Sequence, residues 1–71
     1  MRVYVNDSTR LAELRSDLLE ARCLSETVGD SVLDVVHPPA HDEREELIEL
    51  TFFLRAWQAA RPDARVELVR P

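Results

Sequence analysis

The stretch that decides the fold is residues 24–37, which read LSETVGDSVLDVVH. Residues 24–28 and 31–37 flank Gly29-Asp30, a pair typical of a two-residue turn between paired strands. The pattern predicts a hairpin of strands 24–28 and 31–37 with a type II′ turn, in which Gly29 takes the first loop position. A register with Val28 opposite Ser31 places the more apolar set of residues on the face expected to meet the helices: Leu24, Glu26, Leu33 and Val35.

On either side of this hairpin, the chain carries one strand and one helix. Residues 2–5 alternate as a short strand, and residues 6–8 (Asn, Asp, Ser) supply N-caps for a helix. That helix has an apolar stripe at helical spacing: Leu11, Leu14, Leu18 and Ala21. The second helix begins with Asp42 as its cap, runs to about Ala60, and is followed by a strand over residues 64–69.

The resulting order predicts an α+β fold, the ferredoxin-like β-α-β-β-α-β sandwich, in which a four-stranded antiparallel sheet carries two helices on one face. All of residues 1–71 are expected to form this single domain, since so short a chain cannot supply two cores. The alternative merges residues 24–36 into one long bent strand and gives a three-stranded β-α-β-α-β sheet.

The net charge of the chain argues against anionic partners. The 71 residues carry 14 acidic and 9 basic side chains, all nine of them arginine, for a net charge of −5. Binding to nucleic acid or to an anionic membrane is therefore not expected, because both need a clustered basic surface. No apolar run reaches the roughly 18–20 residues of a membrane span, and no signal peptide is expected at the start of the chain. The single cysteine, Cys23, fits a reducing compartment, so a cytoplasmic location is expected.

The second helix carries more apolar residues than one core can use. At about 100° per residue, one set shares a face and is expected to pack on the sheet: Leu47, Leu50, Phe53, Leu54 and Trp57. A second stripe points the opposite way: Ile48, Phe52, Ala56 and Ala59. The uncovered face of the sheet is a second candidate surface, with Tyr4, Thr27, Val32, Val36 and Val69. Isolated apolar residues are common on surfaces, but a continuous stripe favours a protein partner, and we expect a homodimer.

Metal-ligating and catalytic residues are sparse. The only cluster of borderline metal ligands in the sequence is Cys23, His37, His41 and Asp42. Paired spacings such as CxxC or HExxH are missing, so these residues are candidates only, and no metal or other cofactor is expected. The acidic run over residues 42–46 is expected to be the solvated start of a helix, which the helix dipole favours. No histidine is placed to activate Ser8 or Ser25, and the chain is not expected to be an enzyme.

Two resemblances add to this interpretation. In its order of elements the chain is similar to ACT-type regulatory domains, although their usual glycine after the first strand is missing. That similarity implies an alternative function, a small-molecule-sensing domain with its ligand at a dimer interface. Residues 1–5 (MRVYV), the hairpin at Gly29-Asp30, residues 54–59 (LRAWQA) and residues 66–69 (VELV) resemble short uncharacterised proteins of high-GC actinobacteria. The second resemblance implies a stand-alone bacterial protein and carries over no functional residue.

Overall fold

The computed structural model describes residues 1–69, so the last two residues of the predicted domain lie outside the description. Its strands and α-helices are, in chain order, β1 (Arg2–Val5), α1 (Leu11–Glu20), β2 (Leu24–Gly29), β3 (Val32–Val36), α2 (Glu43–Ala59) and β4 (Val66–Val69). The strands form one sheet in the order β2-β3-β1-β4, and every neighbouring pair is antiparallel. The predicted α+β class with a four-stranded antiparallel sheet and two helices is confirmed. The alternative with one merged strand is wrong, because a turn separates β2 from β3.

The register predicted for the hairpin is wrong by one residue. Leu24 pairs with Val36 and Thr27 with Leu33, and the register then shifts between Thr27 and Gly29. Val28 is the extra residue of this β-bulge, and inserting one residue moves a strand's side chains to the opposite faces. Leu24 is consequently 55% exposed on the open face. Thr27, predicted on that open face, lies instead on the side of Leu33, toward the helices.

The predicted turn is wrong as well. Gly29 is the last residue of β2, and the loop between the strands consists of Asp30 and Ser31. A type II′ turn needs a positive φ at its first loop position. Among the described residues only Arg22 has a positive φ, so neither Gly29 nor Asp30 meets that requirement. The strands reverse through Asp30 and Ser31 without a left-handed residue.

The core lies between one face of the sheet and the two helices. The sheet contributes the inward side chains of its two central strands: Val3, Val5, Leu33 and Val35. The helices contribute buried side chains from their predicted stripes: Leu14, Leu18, Leu50, Leu54 and Trp57. Because all of these belong to one cluster, both helices pack on the same face, and the other face of the sheet stays uncovered.

Local hydrogen bonds set where the helices begin. Asp42 Oδ1 accepts from the backbone N–H of Glu45 at 2.8 Å, so the predicted N-cap of α2 is confirmed. Asp7 caps a 3₁₀ turn, Ser8–Arg10, that precedes α1. Its Oδ1 accepts from the hydroxyl of Thr9 at 2.6 Å and from the N–H of Thr9 at 3.0 Å, and these bonds lower the pKa of Asp7.

Candidate interaction surfaces

Helix α2 presents apolar side chains on two opposite faces. Toward the sheet, Leu50, Leu54 and Trp57 are buried as predicted. The other two residues of the predicted core set, Leu47 and Phe53, are half-buried. The face that points away from the sheet is exposed along its whole length: Ile48, Phe52, Ala56 and Ala59. We call these four residues the outer stripe of α2. Phe52 has 70% of its surface accessible, the largest fraction of any large apolar side chain in residues 1–69.

The open face of the sheet is the second predicted surface. Tyr4 and Val36 are exposed there, and Val32 is half-buried. The strand register places a row of charged residues across this face: Glu26, Asp34 and Arg2. The row lies between two apolar pairs: Leu24 with Val36, and Val32 with Tyr4. Charged side chains therefore divide the apolar area of the sheet, whereas the outer stripe of α2 is continuous.

Grooves run along both sides of α2. Between α2 and β4 is a groove of about 390 Å³, lined in part by Arg55 and Gln58. There Gln58 Oε1 accepts from the N–H of Val66 at 3.0 Å, which satisfies a donor on the edge strand β4. On the other side, a groove of about 300 Å³ is lined in part by Glu49 and Phe52. Arg55 and Glu49 consequently lie on opposite sides of the outer stripe, about 120° apart around the helix.

The four candidate metal ligands do not converge. Cys23 Sγ lies 3.3 Å from His37 Nδ1, so the fold brings two of them together. Asp42 instead caps α2, and His41 is an exposed loop residue. Within residues 1–69, no three His, Cys, Asp or Glu side chains are grouped so that they could hold a metal ion.

The chemistry of the Cys23 thiol follows from its surroundings. The side chain is buried beside the half-buried His37. Burial raises the pKa of the Cys23 thiol, and the negative charges of Glu46 and Glu49 raise it further. A nucleophilic cysteine needs the opposite environment, one that stabilises the thiolate. This thiol is therefore protonated and weakly reactive at neutral pH.

A cluster that joins the two helices was not predicted from the sequence. Trp57 Nε1 donates to Asp17 Oδ2 at 2.9 Å, and Arg61 Nη2 donates to the same oxygen at 3.1 Å. The guanidinium of Arg61 lies 4.2 Å from the centre of the indole ring, within range of a cation–π contact. Arg61 also pairs with Glu13 of α1 at 2.5 Å. The spacing of Trp57 and Arg61, one helical turn apart, was a signal in the sequence, but it could not reveal the acceptor on α1. The cluster holds the end of α2 against α1 and so helps determine which face of α2 is exposed.

Comparisons with protein-family models, with curated proteins and with solved structures give no match. None of the helices in residues 1–69 is long and apolar enough to cross a membrane.

Proposed function

We propose that the protein is a non-catalytic interaction module that forms a homodimer through the outer stripe of α2. The observation that carries this is a continuous exposed apolar stripe on a helix whose opposite face is already buried. Covering Phe52 alone contributes about 2–3 kcal/mol. A chain of this size buries only about 60% of its unfolded surface, so the burial gained on association stabilises the fold as well.

The open sheet face is the weaker candidate for the interface. A partner that covered Val36 and Tyr4 would also have to cover the charged row of Glu26, Asp34 and Arg2. Removing those charges from water has a cost that the apolar pairs on either side must offset. The outer stripe of α2 has no such charge at its centre.

The chain order and the sheet order together favour the ferredoxin-like arrangement. Strands β1 and β2 run parallel with β3 between them, and β3 and β4 run parallel with β1 between them. Each α-helix therefore belongs to a split β-α-β unit, and the hairpin joins the two units. The buried, unpaired thiol of Cys23 supports a reducing compartment such as the cytoplasm.

The test is the substitution Phe52→Glu, followed by sedimentation velocity over tens to hundreds of micromolar protein. We expect the unmodified protein to sediment as a dimer and F52E as a folded monomer, because a carboxylate at the centre of the interface is desolvated without a partner. Leu19→Glu is the matched control, since Leu19 is 63% exposed on α1, outside the stripe. L19E should remain a dimer.

Two results would contradict the proposal. One is an unmodified protein that is monomeric at hundreds of micromolar. The other is a dimer that survives F52E but is lost in Val36→Glu, which would move the interface to the open face of the sheet. Circular dichroism of each variant separates loss of association from loss of folding.

A further inference from the structure

Opposite charges lie on the two sides of the outer stripe of α2. Glu49 lines the groove toward Cys23 and His37, whereas Arg55 lines the groove toward β4. At about 100° per residue, Arg44 lies within roughly 20° of Arg55 on the same side. Arg44 and Glu49 are exposed and are separated by about 140° around the helix, one on each side of the stripe.

These two charges have no partner of opposite sign on their own helix. The residues three and four positions from Arg44 include no acid, and those from Glu49 include no base. In the part of the chain that the structure describes, neither side chain forms an ion pair. Both charges are thus available to a partner that covers the stripe.

The charge pattern distinguishes the two ways in which a second copy can cover the stripe. When a twofold axis lies across the helices, they run antiparallel, and each side of one α2 meets the same side of the other. Arginine then faces arginine, and glutamate faces glutamate. When the axis lies along the helices, they run parallel, and the arginine side of one α2 meets the glutamate side of the other.

Building on the self-association proposed above, we propose that the two α2 helices pack in parallel, and that Arg44 of each protomer pairs with the partner's Glu49. The five-residue separation corresponds to an axial offset of roughly 7.5 Å. This is the spacing at which side chains flanking the apolar seam of parallel coiled coils pair, where such charges set the orientation of the helices. The small side chains of Ala56 and Ala59 let the two helices approach closely toward their C-terminal ends.

The test compares the dimer dissociation constants of Arg44→Glu, Glu49→Arg and the double variant R44E/E49R by sedimentation equilibrium at low salt. Each single reversal places two like-charged pairs in the dimer, and we expect it to weaken association about five- to thirty-fold. The double variant restores both pairs with their signs exchanged, so its affinity should return to within about three-fold of the unmodified protein. High salt should shrink these differences, because exposed charges are screened.

Arg55→Glu is the matched control. It makes the same charge change on the same side of α2, but the residue five positions further along is Ala60, so no acid of the partner faces it. We expect R55E to change the affinity less than R44E does.

The outcomes separate the parallel packing from the interface itself. Loss of the dimer in F52E without rescue in R44E/E49R would overturn the parallel pairing and leave the α2 interface standing. Tighter association of R44E would also overturn it, because removing an arginine–arginine contact is what an antiparallel dimer predicts. A dimer that persists in F52E would overturn the α2 interface itself.

Discussion

Cys23 illustrates how burial determines the chemistry of a single residue. Its thiol has an ordinary pKa of 9.0, and the folded environment raises it, first through desolvation and then through Glu46 and Glu49. The folded state therefore favours the protonated thiol. Its contribution to stability is complete below about pH 9, where the unfolded thiol is protonated too, and is lost as the pH rises through the higher folded pKa.

We expect the free energy of unfolding to fall above about pH 9 in the unmodified protein more steeply than in Cys23→Ala. Urea denaturation at pH values from about 8 to 10.5 measures both slopes. Alkylation by iodoacetamide at neutral pH should be slow in the folded protein and fast in urea, since the thiol is buried. Equal slopes for the two proteins would contradict the raised pKa.

Trp57 is the residue whose polar atom ties the two helices together. Its indole N–H donates to Asp17 while Arg61 covers the ring. We expect Trp57→Phe to lower the free energy of unfolding by about 1–2 kcal/mol, because it removes a hydrogen bond to a charged group and weakens the cation–π contact. A double-mutant cycle of W57F with Asp17→Ala, measured by urea denaturation, tests the contact directly. Additive losses would show that this hydrogen bond stabilises nothing.

At the scale of elements, the end of α1 contains the only non-glycine residue among residues 1–69 with a left-handed backbone conformation. The N–H of Cys23 donates to the carbonyl of Leu18 at 2.8 Å, and the N–H of Arg22 donates to the carbonyl of Leu19 at 3.0 Å. This is the Schellman pattern of helix termination, which requires a left-handed residue after the C-cap and favours glycine there. Here that residue is Arg22, with φ of 64°.

We expect Arg22→Gly to raise the free energy of unfolding by up to about 1 kcal/mol, because glycine adopts the left-handed region without the clash of a Cβ. Thermal or urea denaturation measures the change. Arg22→Ala is the control that removes the same side chain but keeps the Cβ, and it should not stabilise. Loss of stability in R22G would mean that the arginine side chain outweighs the backbone strain.

The hairpin has a glycine at a position where the backbone is not left-handed. Gly29 has no positive φ, and an added Cβ would meet Val32 at an ordinary 3.8 Å. The glycine at the end of β2 is therefore not required by its backbone, as a type II′ turn would have required. The bulge at Val28 shifts the register of β2 against β3, whose Leu33 and Val35 stay turned toward the helices.

At the scale of the whole molecule, the proposed self-association is expected to affect stability. A second copy that binds the folded state, and not the unfolded chain, raises the melting temperature. The rise grows with the protein concentration. We expect the Tm of the unmodified protein to increase across tens to hundreds of micromolar, and the Tm of F52E to stay constant over the same range. Differential scanning calorimetry at several concentrations measures both. A concentration-independent Tm in the unmodified protein would contradict dimerisation.

The sequence by itself determined the order of elements, the helix stripes and the cap at Asp42. These are local properties, because side-chain periodicity and capping depend on residues within one or two turns of the chain. For the same reason, the candidate interface could be predicted: the core residues of α2 and its outer stripe differ in angle around one helix.

The tertiary structure alone decided how distant residues meet. The contact of Cys23 with His37 spans 14 residues, and that of Trp57 with Asp17 spans 40. The tertiary structure also decided which face of β2 points toward the helices. β3 pairs with β1 on one side and with β2 on the other, and its buried Leu33 and Val35 fix which face of β3 points inward. β2 takes its orientation from that pairing. The chain accommodates that pairing with a one-residue bulge, and no local pattern in residues 24–37 indicates where such an extra residue falls.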